Sequence, residues 1–328
     1  MASGSHVKKK KTVIVTEYVD PAGLERLDAE SRLIYLPDSP CTPLESVIGE
    51  AHGLGVRLAR ITPVVMDAAP SLEIIAKHGV GVDNIDVAAA TARRIPVTTT
   101  PRANSISVAE HILSMMLNLA NRVCAADADL KAGRFTSREN YVGVELHEKT
   151  FGVVGLGRIG TEVARMAHDG LAMRICFYDP MVSAGRGGID YYSRASTLPE
   201  LLQQADFVAL CLPLTADTTG LIGAEELSLM KSTAFLVNTA RGGLVDEQAL
   251  YEALSSGNLA GAAADAFVHE PVTSSHPLLS LDNFIATPHV GGATREAMKR
   301  MSIDMADEIL RVLRGDLPQF AVNPEVLG

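Results

Sequence analysis

The sequence predicts an α/β protein with two doubly wound parallel sheets, one domain being inserted into the other. Two observations support this fold class. Short apolar runs alternate with helical stretches over the first hundred residues, and this rhythm restarts at Thr150. A glycine-rich turn at Gly155–Gly160 stands at the restart, so a whole module precedes it. The predicted bounds are residues 1–104 for the first part of the outer domain, 105–293 for the inserted domain and 294–328 for a returning C-terminal helix.

The composition excludes several classes of protein. The 328 residues suffice for two buried cores, and the 47% hydrophobic content is that of a globular protein. The formal net charge of −10 argues against general binding to nucleic acid or to anionic membranes. No apolar run reaches the ~18 residues of a membrane helix. The four cysteines are scattered and form no C-x-x-C pair, which predicts free thiols in a cytoplasmic protein. We also expect no metal site. The basic start of the chain lacks the apolar stretch of a secretory signal. Whether that start is native stays open.

The first hundred residues predict β-α-β units and therefore a mainly parallel sheet. The predicted strands are Val13–Val15, Leu33–Leu36, Val56–Ala59, Ile74–Ala76 and Val97–Thr98. The predicted helices or turns between them are Pro21–Leu27, Pro43–Ala51, Val64–Ala69 and Val87–Arg93. The polar segment Pro101–Ser105 then predicts a hinge, with Ser105 capping a helix from Ile106 to about Val123. One apolar stripe of this helix indicates core packing or a dimer contact.

From Thr150 onward, six apolar runs predict the strands of the inserted domain. They are Phe151–Val154, Arg174–Tyr178, Phe207–Leu212, Ala234–Val237, Leu259–Ala264 and Phe284–Ala286. Gly291-Gly292 predicts the returning hinge. The amphipathic segment from Thr294 to Arg314 is expected to pack on the first domain.

The glycine turn indicates binding of a dinucleotide. It has the pattern G-x-G-x-x-G, lies between an apolar run and a helix-like segment, and is followed nineteen residues later by Asp179. Gly155 permits the tight turn, Gly157 lets the backbone approach a pyrophosphate, and Gly160 lets the helix pack close to the strand. An acid such as Asp179 accepts bonds from the ribose hydroxyls and favours NAD over NADP. Arg186 leaves the strictness of that preference open.

Three later strand ends each carry a charged or titratable side chain. Arg241, Glu270 and His289 follow successive apolar runs, and the carboxyl ends of parallel strands form the ligand crevice of such a sheet. Singly, these residues are equally well explained as a surface cation, a turn acid and a packing histidine. Together they fit hydride transfer to a carbonyl. A histidine can deliver the proton, a carboxylate can orient the imidazole, and a guanidinium can hold a substrate carboxylate.

With these residues the sequence resembles the D-isomer-specific 2-hydroxyacid dehydrogenases, which include D-3-phosphoglycerate dehydrogenases and hydroxypyruvate reductases. The segments that carry the resemblance are Gly79–Asp86, Asn104–His111, Gly155–Gly160, Asn238–Gly243, Asp265–Pro271 and Pro288–Thr294. The resemblance extends from about Val56 to the final helix, and it is to a short form without a regulatory domain. It implies a Rossmann NAD-binding domain inserted into a flavodoxin-like substrate domain.

The resemblance also implies roles for individual residues. His289 would be the acid/base paired with Glu270, and Asp265 would contact the nicotinamide carboxamide. From the glycine turn and the resemblance together, the expected cofactor-binding residues are Val108, Gly155, Gly157, Arg158, Ile159, Gly160, Asp179, Cys211, Leu212, Pro213, Thr218, Thr239, Ala240, Asp265, Gly291 and Gly292. The expected substrate-binding residues are Arg60, Val80, Gly81, Asn104 and Arg241.

The resemblance further implies NAD as cofactor, a homodimer built through the cofactor domains, and a small 2-oxo or 2-hydroxy acid as substrate. The leading substrates are 3-phosphoglycerate, hydroxypyruvate and glyoxylate. Formate is not expected, because formate dehydrogenases carry Gln where Glu270 stands. Phosphite is not expected either, because phosphite dehydrogenases carry Lys at the position of Val80. Arg60 fits either a substrate contact or a strand-end surface charge. The alternative is an NAD-sensing protein similar to the corepressor branch of the superfamily. No role is assigned to Arg102.

Overall fold

A computed structural model describes residues 10–39, 42–182 and 192–328 of the chain. The chain start up to residue 9, Cys41 and Arg186 lie outside the described residues. The chain divides into two compact units. The first comprises Met1–Asn104 with Ala293–Gly328, and the second comprises Ser105–Gly292.

The first unit contains a parallel sheet of five strands within the described residues. The strands are β1 (Thr12–Val15), β2 (Arg32–Tyr35), β3 (Gly53–Val56), β4 (Ile74–Lys77) and β5 (Val97–Thr98). Their order, β2-β1-β3-β4-β5, is that of flavodoxin-like sheets. The helices between them are α1 (Pro21–Glu30), α2 (Leu44–Val47), α3 (Pro63–Asp67) and α4 (Val87–Ala92). The predicted parallel α/β fold is confirmed here.

The second unit contains seven parallel strands in the part of the chain described. They are β6 (Thr150–Val154), β7 (Arg174–Tyr178), β8 (Ser193–Arg194), β9 (Phe207–Leu210), β10 (Phe235–Asn238), β11 (Gly261–Ala264) and β12 (Phe284–Ala286). Their order is β12-β11-β10-β9-β6-β7-β8. The six strands from β8 to β11 have the doubly wound dinucleotide-binding order, and β12 extends it at one edge. The helices are α5 (Ser105–Asn121), α6 (Val123–Lys131), α7 (Arg158–Leu171), α8 (Leu198–Gln204), α9 (Ala224–Leu229) and α10 (Glu247–Ser255).

Two predictions in the second unit need correction. The sequence indicated six strands, and the structure adds the edge strand β8, whose two polar residues leave no apolar run to detect. Ser105 was expected to cap the following helix, whereas it is the first residue of α5 and is buried. Strands β9, β10 and β11 are buried along their whole length, because apolar clusters cover both faces of the sheet.

Helix α11 (Arg295–Leu313) completes the first unit. Thr294 caps it by accepting the N–H of Ala297, and it packs against α1, β3 and β4. The approach to β3 is close. A Cβ atom at Gly53 would lie 2.8 Å from Ile309 Cγ2, and one at Gly55 would lie 3.0 Å from Met305 Sδ. Glycines at these two positions therefore let the helix contact the strand.

The third strand differs from the predicted Val56–Ala59, which was wrong. The strand occupies Gly53–Val56, and the chain leaves the sheet directly afterwards. The carboxylate of Glu17 accepts the N–H groups of Arg57 (2.8 Å), Leu58 (2.9 Å) and Ala59. Those three N–H groups are therefore not available to a sheet ladder, although Leu58 and Ala59 are apolar.

Short 3-10 helices occupy several connections: Leu36–Asp38, Ile48–Glu50, Phe135–Tyr141, Gly242–Leu244, Pro277–Ser280 and Pro324–Leu327. Within the ranges described, no helix is both long and apolar enough to cross a membrane. The same ranges hold no cluster of three or more side chains able to bind a metal ion.

Candidate active site

The glycine turn lies between β6 and α7 and has the shape that a dinucleotide requires. Gly155 has φ of +91°, and a Cβ atom there would lie 2.7 Å from the carbonyl oxygen of Cys211. A Cβ at Gly160 would lie 2.1 Å from the carbonyl oxygen of Gly155. At Gly157, by contrast, a Cβ would have no described atom within 4 Å. Open space therefore lies before the N–H groups of α7, which begins at Arg158, and this arrangement fits a pyrophosphate.

Asp179 follows β7 and is tied to the glycine turn. Its Oδ2 accepts the N–H of Leu156 (2.8 Å), and its Oδ1 accepts the N–H of Met181 (2.8 Å). Each carboxylate oxygen can accept a further bond, so the group can still bind ribose hydroxyls. The Arg194 guanidinium on β8 donates to the carbonyl oxygen of Asp179 (3.3 Å). A cation thus accompanies the acid at this strand end, which the sequence alone did not indicate.

The segment after β9 is a compact turn. The Thr218 hydroxyl donates to the carbonyl oxygen of Pro213 (2.8 Å), and its oxygen accepts the N–H of Thr215 (2.8 Å). Leu212 is half-buried, and burial raises the pKa of the Cys211 thiol to about 12. This thiol is therefore protonated at neutral pH, and it offers apolar surface next to the glycine turn rather than a nucleophile.

Asn238 shapes the loop after β10, which contains Thr239, Ala240 and Arg241. Its Oδ1 accepts the N–H of Ala240 (3.1 Å), and its Nδ2 donates to the carbonyl oxygen of Arg241 (2.9 Å). The guanidinium of Arg241 donates to the carbonyl oxygen of Ala240 (2.7 Å). Gly242 follows, where a Cβ would lie 1.9 Å from the carbonyl carbon of Phe267. The loops after β10 and β11 therefore touch through their backbones.

Glu270 and His289 form a direct pair. Nδ1 of His289 lies 2.9 Å from Oε2 and 3.2 Å from Oε1 of Glu270, and Oε1 also accepts the N–H of Phe267 (3.0 Å). Both side chains remain more than one-third exposed, at 47% for His289 and 38% for Glu270. The pairing engages Nδ1, so Nε2 is the ring nitrogen that can exchange a proton with a substrate. This is the geometry of an oriented general acid or base.

The backbone of His289 is strained. Its φ is +53°, in the left-handed region, and its N–H donates to the carbonyl oxygen of Thr287 (3.0 Å). A non-glycine residue in this conformation costs roughly 1–2 kcal/mol. Such a conformation persists only where the surrounding structure holds it.

The group that holds this turn is Asp265, at the end of β11. The side chain is 2% exposed, and it accepts the Thr287 hydroxyl (2.6 Å) and the N–H groups of Val290 and Gly291 (2.8 Å each). His111 Nε2 lies 3.6 Å from its Oδ1 and 3.0 Å from Thr287 Oγ1. Burial alone would raise the pKa of Asp265, but the nearby His111 imidazole and the bonds from Thr287 and the two N–H groups outweigh it and lower the pKa.

His111 and Thr287 were not predicted as site residues. Both lie inside or beside segments that carry the family resemblance, Asn104–His111 and the residues just before His289, but 176 positions separate them. Val108, one helical turn before His111 on α5, is 7% exposed. Gly292, the last residue of the second unit, is half-buried. At the start of α7, Arg158 is exposed and Ile159 is half-buried.

The predicted substrate residues other than Arg241 belong to the first unit. Arg60 is exposed on the loop whose N–H groups the Glu17 carboxylate holds. Val80 is 43% exposed and Gly81 is half-buried. Asn104 is half-buried, and its Oδ1 has no hydrogen-bond partner among the described residues.

The Arg60 loop and the Val80–Gly81 loop are joined by two side chains. Lys77 Nζ donates to the carbonyl oxygen of Arg57 (2.5 Å) and to Asn84 Oδ1 (2.5 Å). Asn84 Nδ2 donates to the carbonyl oxygen of Ala59 (2.6 Å). Arg60 therefore extends from an ordered loop of the first unit. This loop is bonded to Asn84, which follows the Val80–Gly81 loop in the sequence.

A family model matches the chain over residues 113–291, and its description is "D-isomer specific 2-hydroxyacid dehydrogenase, NAD binding domain". The match lies within the second unit and includes the glycine turn, Asp179 and the strand ends that carry Arg241, Glu270 and His289. The second unit therefore carries the nicotinamide-cofactor domain of that family.

Individual relatives of the chain are named as dehydrogenases and reductases. The chain is 45% identical to a D-3-phosphoglycerate dehydrogenase of Methanocaldococcus jannaschii over 84% of this chain and 52% of the relative. It is 37% identical to a glyoxylate reductase of Korarchaeum cryptofilum over 97% of both chains. The chain thus spans about half the length of the phosphoglycerate dehydrogenases that it matches.

Solved structures are similar to the chain over nearly its full length. A protein of Thermus thermophilus has 37% identity and a TM-score of 0.84, with coverage of 95% of this chain and 99% of the other. An NADPH-dependent glyoxylate/hydroxypyruvate reductase of Sinorhizobium meliloti, in complex with NADP and malonate, has 30% identity and a TM-score of 0.82. Coverage there is 95% of this chain and 97% of the other.

Proposed function

We propose, from the premise that the chain belongs to the D-isomer specific 2-hydroxyacid dehydrogenase family, that it is an NAD-dependent oxidoreductase. It would interconvert a small D-2-hydroxy acid and the corresponding 2-oxo acid. The observation that carries the proposal is the 2.9 Å contact between Nδ1 of His289 and the carboxylate of Glu270. Dehydrogenation needs one group that moves a proton at the substrate oxygen, and this pair provides it.

The proton step falls to Nε2 of His289. Reduction of the substrate adds a hydride at C2, which a bound nicotinamide supplies, and a proton at the carbonyl oxygen. Glu270 holds Nδ1, so the ring keeps its orientation and its other nitrogen exchanges the proton. In the opposite direction the same nitrogen removes the hydroxyl proton.

Arg241 would bind the carboxylate that all 2-oxo acids share. A guanidinium binds a carboxylate by two parallel hydrogen bonds and polarises the neighbouring carbonyl. Asn238 orders the loop of Arg241, and the contact of Gly242 with Phe267 fixes that loop beside the loop of Glu270.

We further propose that the substrate is a small acid of the 3-phosphoglycerate, hydroxypyruvate or glyoxylate class. Relatives named D-3-phosphoglycerate dehydrogenase and glyoxylate reductase support this class. Arg60 would bind the distal phosphate or hydroxyl end, and the N–H groups of Val80 and Gly81 would bind the carboxylate end. The order of the Arg60 loop supports a binding role over that of a free surface charge.

The proposed cofactor is NAD rather than NADP. The carboxylate of Asp179 would lie at the adenosine ribose, where a 2′-phosphate would meet its charge. Arg194 reduces the strength of that argument, because its guanidinium reaches the same strand end. The predicted outcome is therefore a preference for NADH with measurable use of NADPH.

The test is a kinetic panel of 2-oxo acids with NADH and with NADPH, for wild type and His289→Ala. The variant should lose most of its kcat while it still binds NADH, because proton transfer alone is removed. His147→Ala, which replaces an exposed histidine of the same unit, is the matched control and should keep wild-type kcat. Tight NADH binding by wild type without turnover on any acid would refute the enzyme and favour an NAD-sensing protein.

A homodimer is also part of the proposal. The segment from α5 to the start of β6 exposes large apolar side chains within the described residues: Leu117, Val123, Leu130, Phe135, Val142 and Val144. A second copy of this segment would cover them, as the family resemblance implies. Light scattering should give twice the chain mass for wild type and the single mass for Phe135→Asp. A cytoplasmic location is proposed on the sequence argument alone and is tested by cell fractionation.

A further inference from the structure

Donor and acceptor chemistry fixes the direction of the hydrogen bonds around Asp265. An ionised carboxylate can only accept, so the Thr287 hydroxyl at 2.6 Å donates its single proton to Asp265 Oδ1. Thr287 Oγ1 then has only lone pairs to offer to His111 Nε2 at 3.0 Å. His111 must therefore carry its proton on Nε2 and donate it. The bonds run from His111 to Thr287 and from Thr287 to Asp265.

The residues that bond to Asp265 stand before and after His289 in the sequence. Thr287 stands two residues before His289, and its carbonyl oxygen accepts the His289 N–H (3.0 Å). Val290 and Gly291 follow His289, and both N–H groups donate to Asp265 (2.8 Å each). One buried carboxylate thus holds the turn before and after the strained residue.

His111, at the other end of this chain of hydrogen bonds, lies on a helix that packs in the core. His111 belongs to α5, a 17-residue helix whose neighbouring side chains Val108 and Ile112 are buried in the core. The helix packs against β10, β11 and β12, the three strands whose ends carry the site. The fit is tight, because a Cβ at Gly291 would lie 3.3 Å from His111 Cδ2 and 3.0 Å from Asp265 Oδ2.

We propose that His111, acting through Thr287 and Asp265, is a positioning residue that holds the His289 turn in its left-handed conformation. The role of this turn in proton transfer rests on the proposed function. His111 itself makes no step of the reaction. It keeps the His289 ring where the Glu270 carboxylate can bind Nδ1, so that Nε2 meets the substrate.

The test compares four variants with wild type. His111→Leu removes the donor, Thr287→Val removes the hydroxyl at nearly constant shape, and the double variant removes both. His111→Gln keeps an N–H close to the position of Nε2. His111→Leu and Thr287→Val should each lower kcat on the order of tenfold, as expected for the loss of one hydrogen bond that holds the turn, with a small change in the KM of the 2-oxo acid.

Two comparisons separate positioning from general destabilisation. His111→Gln should recover most of the lost kcat, whereas a merely structural packing role would be served as well by Leu. The double variant should be no slower than Thr287→Val alone, because His111 acts through Thr287. Glu110→Gln, on the exposed side of the same helix, is the matched control and should keep wild-type kcat.

A second measurement does not depend on turnover. Hydrogen exchange of the Val290 and Gly291 amides should be slow in wild type and in His111→Gln, and faster in His111→Leu and Thr287→Val. Wild type without turnover but with this exchange pattern would refute the proposed function and leave the positioning role supported. Unchanged exchange in His111→Leu, or additive losses of kcat in the double variant, would overturn the positioning role.

Discussion

Acidification from pH 8 to pH 5 should cost the first unit about 2 kcal/mol of unfolding free energy through the single residue His78. The imidazole is 3% exposed, its Nε2 lies 3.3 Å from the carbonyl oxygen of Met298, and Nδ1 has no partner among the described residues. Burial lowers the pKa of His78 to about 4, and the charges of Arg57 and Lys77 act in the same direction, against the bond with Met298.

The sign and size follow from the two pKa values. The unfolded chain binds the proton near pH 6.5 and the folded unit only near pH 4, so protonation favours unfolding. The stability is complete above pH 6.5 and is lost as the pH falls towards 4. The loss amounts to about 2 kcal/mol at pH 5 and about 3 kcal/mol at pH 4. Since whole domains are stable by roughly 5–15 kcal/mol, this loss is readily measured.

The assay compares wild type with His78→Gln, which keeps an N–H for Met298 but does not titrate. Hydrogen exchange of β4 amides reports opening of the first unit alone, which matters because the two units need not unfold together. The stability difference between the two proteins should shift in favour of the variant by about 2 kcal/mol from pH 8 to pH 5. His147→Gln, at an exposed histidine, should track wild type. Parallel curves for wild type and His78→Gln would refute the reasoning.

Three further predictions concern other parts of the molecule. Gly155→Ala should weaken NADH binding at least tenfold in a fluorescence titration, because its Cβ would lie 2.7 Å from the carbonyl oxygen of Cys211; unchanged affinity would contradict the need for the tight turn. Glu17→Gln should raise the KM of the 2-oxo acid several-fold with kcat nearly constant, since three N–H groups of the Arg60 loop lose their charged acceptor, while Glu25→Gln at an exposed position should change neither. Iodoacetamide at pH 8 should alkylate the exposed Cys124 and spare Cys211, whose pKa is about 12, and peptide mass spectrometry that finds Cys211 modified first would contradict this.

Three strands were predicted with the correct bounds: Val97–Thr98, Arg174–Tyr178 and Phe284–Ala286. Phe284–Ala286 is an apolar run between Asn283 and Thr287, so hydrophobic content alone marks both of its ends. The pattern fails where other forces decide. Val56–Ala59 looks like a strand, but the distant carboxylate of Glu17 takes its N–H groups, and β8 is too short and polar to show a pattern.

The candidate site likewise contains residues that the sequence singles out and contacts that it does not. The sequence singles out Arg241, Glu270 and His289 as candidates because each follows an apolar run, and strand ends of one sheet meet at one edge. The contact between His111 and Thr287 joins a helix and a strand end 176 residues apart, and no local pattern encodes such a pair. The strain at His289 was likewise not predictable, because it depends on bonds that form only after β11 and β12 align.

The packing of α11 on β3 has a consequence for the order of events during protein synthesis. The strands of the first unit are made before the second unit, but Gly53 and Gly55 lie under Ile309 and Met305, which are made after it. The second unit is one continuous stretch of chain, so it can fold while the earlier strands still lack their covering helix. The strands of the first unit are therefore made before the second unit but covered only after it, and their uncovered sheet face is what a chaperone on the nascent chain would meet.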